Sequence, residues 1–379
     1  MNKPVNFCIY SLLFVAAFAF ACSAQVTRDG RVSSDPGDGM VSAIADMTAR
    51  RSVHTATLLR DGKVLIAGGY IGGDGNIASA EIYDPAAKSF AAVGNMSAAR
   101  SSQTATLLPN GKVLIAGGFN GDYLDTTEIY DPATKRFSPG GRLTTPRSGH
   151  VAAVLDDGKI LIAGGVGTGW TFLKSAEIYD PAVNTFTAVA DMAVPRESHT
   201  ATLLEDGRVL IAGGHSGRRS QIVIYTNAEI FDPRTKRFSA AGDLTIKRHK
   251  HEAIRLGDGR VLILGGSDER DGDGAYNNAE VYNPADGKFT AVKNSMNTAR
   301  YKLQGTAVLL RNGKVLIAGG ASRAEVFDPA TNSFTYAGGD LGTTRLFATA
   351  TLLQNGTVLI TGGYRDGRNV SSGAWMYRA

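Results

Sequence analysis

The sequence predicts an all-β fold, a seven-bladed β-propeller of four antiparallel strands per blade. Three observations predict it. The run GKVLIAGG at Gly62 to Gly69 recurs at Gly111 and Gly313, with variants GKILIAGG at Gly158, GRVLIAGG at Gly207, GRVLILGG at Gly259 and GTVLITGG at Gly356. The second glycine of each pair falls at 69, 118, 165, 214, 266, 320 and 363, with spacings of 49, 47, 49, 52, 54 and 43 residues. Periods in this range belong to propeller blades or solenoid units. The run is also apolar without alternation, so its strand is covered on both faces. A ring of stacked sheets covers every such strand without end caps.

The elements of a repeat follow in order. Each opens with a strand such as HTATLL (His54 to Leu59), whose Ala and Thr suit an inner strand crowded around an axis. An Asp-Gly or Asn-Gly pair follows, as at Asp61-Gly62 and Asn110-Gly111, and predicts a tight hairpin turn with positive φ at both central positions. The glycine pair closing the second strand permits close backbone approach. A loop of variable length leads to a third strand, AEIYDP (Ala80 to Pro85), stopped by its proline. A fourth strand such as SFAAVG carries one aromatic: Phe90, Phe137, Phe186, Phe238, Phe289 or Phe334.

The seventh copy stops at WMYRA (Trp375 to Ala379) and lacks a fourth strand. VSAIADM (Val41 to Met47) aligns with FTAVADM (Phe186 to Met192), a fourth strand and its sequel. An N-terminal strand is therefore expected to close the last blade and remove an exposed edge.

The paired glycines, the tyrosine of EIYDP, the later aromatic and an arginine before each first strand resemble kelch repeats over about residues 40 to 379. Phenylalanine stands where many kelch repeats carry tryptophan. The resemblance implies a propeller of the kind that often binds proteins or glycans. One kelch-like family includes galactose oxidase, a copper radical enzyme that needs a cysteine crosslinked to tyrosine and histidine ligands. No cysteine follows Cys22, which excludes that chemistry. Another includes the sialic acid epimerases, which resemble six-bladed rings, against seven copies here.

Residues 1–21, with Lys3 ahead of FCIYSLLFVAAFAFA, read as a secretory signal of the lipoprotein type. Ala19-Phe20-Ala21-Cys22-Ser23 resembles a lipoprotein cleavage box, with Ala19 where leucine is usual; it makes Cys22 the lipidated residue. Ordinary cleavage after Ala21 or Ala24 is the alternative. Residues 22–39 read as a flexible tether, and 40–379 as the propeller. The expected location is the bacterial cell envelope, lipid-anchored, or the exterior, with the chain a monomer. A net charge of +5 without a basic run interleaved with aromatics argues against nucleic acid. The only cysteines are Cys8 and Cys22, so the ring relies on packing rather than disulfides.

Variable loops on a rigid scaffold carry function. Here they share the face from which the first strands start; the Asp-Gly and Asp-Pro turns lie on the other. Arg51, Arg100, Arg147, Arg196, Arg248, Arg300 and Arg345 recur before the first strands, and Glu81, Glu128, Glu177, Glu229, Glu280 and Glu325 are their expected structural partners. Histidine stands three residues after the arginine at His54, His150, His199 and His251, with Gln103, Gly305 and Ala348 aligned elsewhere. Spread over separate blades, these histidines are not expected to hold a metal, and no cofactor is implied. The acidic loop SDERDGDGAYNN (Ser267 to Asn278) does not match an EF-hand spacing and reads as solvated.

Departures from the repeat cluster in blades 4 to 6, in HSGRRSQIVIYTN, IKRHKHEAIRL, YKLQG and Ala321-Ser322-Arg323. They nominate His215, Arg218, Arg219, Arg248, His249, Lys250, His251, Glu252, Arg300, Lys302 and Arg323 as ligand-binding residues. Their charge points to an acidic partner, an anionic glycan or a protein's acidic peptide, with His215, His249 and His251 adding charge at mildly acidic pH. Asp268, Glu269, Asp271 and Asp273 oppose this by offering internal partners. Glu252, in a threonine column beside His251, is the one candidate acid-base group. The leading function is a non-catalytic binding module of the cell envelope; a carbohydrate-active enzyme is the alternative.

Overall fold

Each of the seven copies folds into one four-stranded antiparallel sheet in this computed structural model. It describes residues 39–379 apart from 74 and 366–368. The expected signal, Cys22 and the tether up to residue 38 lie outside the described residues. Blade 1 consists of Thr55–Leu58, Val64–Ala67, Ala80–Asp84 and Ser89–Ala92, paired in that order. The first strands of the later blades begin at Thr104, Val151, Thr200, Glu252, Ala307 and Thr349. These strands face one another around a central channel of about 490 Å³, lined by small side chains such as Thr55, Ala105, Ala152 and Ala201.

The second strands, VLIA or a close variant, are buried at every position. Their side chains fill the seams between blades. Leu114 and Ala116 of blade 2, for example, pack with Ile160, Ile162 and Tyr179 of blade 3. Each such aliphatic side chain contributes roughly 1.5–3 kcal/mol by leaving water. The third-strand ring and the fourth-strand phenylalanine meet across the outer pair, as Tyr179 and Phe186 do at 4.7 Å between centroids.

One turn expectation is corrected. In the Asp-Gly turn only the glycine has positive φ, +83° at Gly62. The aspartate acts instead through its side chain, accepting the Lys63 amide at 3.1 Å. That local bond replaces the mirror-image geometry a two-residue hairpin needs.

The last blade is closed by Met40–Ala43, antiparallel to Ala374–Arg378 in the register Val41↔Tyr377 and Ala43↔Trp375. Val41 is buried with Trp375 and Tyr377, so no long edge remains there.

The recurring arginines are clamps. Arg51 Nη2 meets Glu81 Oε1 at 2.7 Å with both side chains fully buried, and Arg51 Nη1 donates to the Gly68 carbonyl at 2.8 Å. The other Glu81 oxygen accepts the Thr48 amide at 2.6 Å. One pair thus ties the incoming loop, the third strand and the glycine pair together. The glycine is required because a Cβ at Gly68, where φ is +65°, would lie 2.6 Å from the Arg100 carbonyl of the next blade. The arrangement repeats through Arg300 and Glu325. In blade 7 Trp375 stands in the glutamate column, and the Arg345 guanidinium lies 4.7 Å from its ring centroid.

Candidate functional site

The residue two after each clamp arginine sits on the rim of the channel, on the loop-rich face. Val53, Ser102, Gly149, Ser198, Lys250, Lys302 and Phe347 all have left-handed φ between 50° and 62°. This turn aims each amide at the carbonyl of the preceding blade. Val53 donates to Phe347, Ser102 to Val53, Gly149 to Ser102, Lys250 to Ser198, Lys302 to Lys250 and Phe347 to Lys302, at 2.8–3.2 Å. Among the described residues the step from Ser198 to Gly149 lacks this bond, so the rim is interrupted between blades 3 and 4.

Glu197 lies at that interruption. Its column carries Ser52, Ser101 and Ser148 in blades 1 to 3. A Cβ at position 149 would fall 2.8 Å from Glu197 Oε1, so the absent side chain of Gly149 makes the room. The Glu197 side chain is 30% exposed, and Oε2 lies 3.4 Å from His215 Nε2. Desolvation pushes its carboxyl pKa up, against the opposing pull of Lys250, Ser198 and Arg218. His215 Nδ1 in turn lies 3.1 Å from His249 Nδ1.

Two short hairpins stand above this seam. Blade 3 contributes Val166–Gly167 with Thr171–Phe172, and blade 4 His215–Ser216 with Val223–Ile224. Trp170 is at the first tip, 51% exposed and left-handed at φ 64°. The Arg218 guanidinium lies 3.5 Å from the Trp170 ring centroid, and Tyr123 of blade 2 meets that ring edge-on at 5.9 Å. Phe172 contacts His215 at 5.4 Å. Below, the channel mouth is a cavity of about 220 Å³ lined by Ser102, Gly149, Glu197, Ser198, Gln304 and Phe347, among others. The Phe347 ring, the Glu197 carboxyl and the hydroxyls of Ser102 and Ser198 around a small open cavity suit a polar ligand with an apolar ring face.

The nominated residues of blades 5 and 6 lie differently. Arg248 and Arg300 are corrected: they are buried clamps on Glu280 and Glu325, out of a ligand's reach. His251 is fully buried and bonds Thr200 Oγ1 at 3.2 Å across the blade seam. Lys250 is paired with Asp271 at 2.6 Å, Lys302 lies 3.7 Å from the same carboxylate, and Lys247 meets Glu269 at 2.9 Å. Arg323 turns back on its own blade, over Tyr336 at 4.1 Å. Only Arg218 and Arg219 of the nominated arginines are exposed at the blade-3/blade-4 side. The expected histidine charging is also corrected. Burial pushes His215 down to about 3, His249 to about 4 and His251 well below its usual value, so all three stay neutral at mildly acidic pH.

Glu252 has a structural job. In blade 6 Leu303, not Gly305, fills the histidine column, packing against Gly265, because Lys302 keeps its place in the rim. The two extra residues therefore bulge out as Gln304 and Gly305, and the Thr306 amide that closes the bulge is shared between the Leu303 carbonyl and Glu252 Oε2, each at 3.0 Å. Burial raises this carboxyl to about 7, with the neighbouring amides pulling the other way.

Glu197, Gly149 and Trp170 were missed from the sequence. A signal for the first was present: RESH breaks the column set by RSVH, RSSQ and RSGH. Trp170 reaches the seam only once two hairpins fold beside each other, which no local pattern encodes.

The sequence family described as Kelch motif matches residues 100–144 and 146–193. No curated protein sequence matches the chain. Among solved structures, a fungal alcohol oxidase of the AA5 family, in complex with copper, is similar with a TM-score of 0.71 at 17% identity, over 89% of this chain and 76% of that one. At that identity the likeness is one of fold. The residues here do not fit a copper centre: among those described, no three His, Cys, Asp or Glu side chains are grouped to hold a metal.

Proposed function

The chain is a kelch-repeat β-propeller, and on that premise we propose that it is a binding module of the cell envelope that takes a glycan on its loop-rich face. The observation that carries this reading is that the Glu197 carboxyl lines a small open cavity at the rim interruption, while the exposed Trp170, stacked with Arg218, stands on the hairpins of the same two blades. Aromatic faces suit the C–H side of sugar rings, and carboxyl and hydroxyl groups suit their hydroxyls. A protein partner is less well supported. Of the exposed large apolar residues only Trp170 and Val223 belong to the two hairpins of this seam; Met40, Val154 and Val183 lie on other elements.

A glycan array with the intact protein and a Trp170→Ala, Arg218→Ala variant tests the reading. Binding lost in the variant supports it. Capture of peptides but no glycan would move the assignment to a protein ligand. Turnover of an array-positive sugar would move it to a sugar-processing enzyme.

A further inference from the structure

We infer that the seam between blades 3 and 4 is a subsite for the uncharged ring of a glycan, with Trp170 as its stacking surface and Glu197 as its hydroxyl partner. This rests on the glycan-binding reading and narrows it from any glycan to a neutral sugar.

Three independent features converge there. The rim of backbone hydrogen bonds is open at this step alone among the described residues, and the gap is occupied by a carboxyl group over a glycine that leaves it space. The Trp170 backbone is left-handed and its indole half exposed, a combination that costs folding free energy and is retained where a side chain must be presented. Glu197 also lines the channel-mouth cavity, whose volume of about 220 Å³ is on the scale of a single sugar ring rather than a peptide segment.

Charge decides between neutral and acidic sugars. Glu197 is the carboxyl at the mouth, and an ionised ligand would meet it as a like charge. The nearby cations are already engaged: Lys250 and Lys302 by Asp271, and Arg218 by the indole. Hydroxyls of an uncharged ring suit a carboxyl at a partly desolvated mouth.

The chain carries two tryptophans, Trp170 and the buried Trp375, so the emission of Trp170 reports on this seam directly. The intact protein is titrated with methyl glucoside, methyl galactoside, methyl mannoside, methyl N-acetylglucosaminide and the best neutral oligosaccharide of the array, with glucuronate as the acidic control. At least one neutral sugar should shift the emission saturably. The shift should vanish in Trp170→Phe. Affinity should fall about tenfold or more in Glu197→Gln, as expected for a lost hydrogen bond to a charged group. Melting temperatures of both variants establish that they are folded; if Glu197→Gln is not, Glu197→Ser, which restores the column's common residue, replaces it. Tightest binding of glucuronate, strengthened by Glu197→Gln, would overturn the inference. If glycans bind on the array and Trp170 emission never responds, the subsite is wrong while the glycan-binding reading survives. If the array is silent too, both fall.

Discussion

The seam of blades 3 and 4 and the neighbouring region of blades 5 and 6 both depart from the repeat, yet they resolve the departure in opposite ways. In blades 5 and 6 most of the irregular charged groups find a partner within the chain. Asp271 takes Lys250 and Lys302, Glu269 takes Lys247, and Glu252 accepts from the Thr306 amide that closes the two-residue bulge. In blades 3 and 4 the irregular groups stay at the surface: Glu197 beside a gap in the rim and 3.4 Å from His215, Trp170 and Arg218 stacked on each other at exposed hairpin tips. A break in a repeat marks a site only when its polar groups are not consumed by the repair of the break itself.

The largest effect should come from the consumed region. Arg300→Ala leaves Glu325 buried without its partner and should cost about 3–5 kcal/mol of stability. Calorimetry should show the melting temperature falling steeply, with ligand affinity of the remaining folded protein unchanged. A loss of affinity at unchanged stability would make Arg300 a ligand contact and erase the contrast.

Glu252 gives the next effect, and its sign depends on pH. Its carboxyl titrates near 7 in the folded chain and near 4.5 unfolded, so its ionisation weighs against folding increasingly as pH rises from about 4.5 through 7. Glu252→Gln should therefore stabilise the protein by about 1–3 kcal/mol at pH 8 and make no difference near pH 4.5. Taking the difference between variant and wild type at each pH cancels the buried histidines, which lose stability on the acid side. A gain that grew toward acid pH instead would contradict the desolvated-carboxyl account.

Gly149→Ala should cost about 1–2 kcal/mol, from the left-handed backbone and the contact with Glu197. In a Glu197→Ser background the steric share should disappear. Equal cost in both backgrounds would mean that Gly149 is not there for Glu197. The smallest stability effect belongs to Trp170→Ala, within about 0.5 kcal/mol, because an exposed tip holds little of the core. Chemical denaturation resolves that difference.

Much of the ring was legible in the sequence because repetition amplifies weak local signals. One VLIAGG run does not distinguish a buried strand from a core helix, whereas seven at a near-constant period do. The closing strand was legible from VSAIADM for the same reason, and so was the arginine–glutamate pairing. The candidate site was less so. The basic residues of blades 4 to 6 advertised an acidic ligand, but whether Lys250 faces a ligand or Asp271 is a matter of three dimensions. Glu197 is a single carboxyl in a serine column, a small signal beside a run of lysines and arginines. Where blade 6 placed its two extra residues depended on the rim bond from Lys302 and the hole that Leu303 fills, both long-range contacts.

The most direct test of the central claim is a paired measurement of glycan affinity. Glu197→Ser, Trp170→Ala opens the seam of blades 3 and 4, and Lys247→Ala, Glu269→Ala removes an exposed ion pair of blade 5. The account predicts that the first pair abolishes binding and the second leaves it within about threefold of wild type, the scale of a screened surface charge. Binding that survives the first pair and collapses in the second would contradict it.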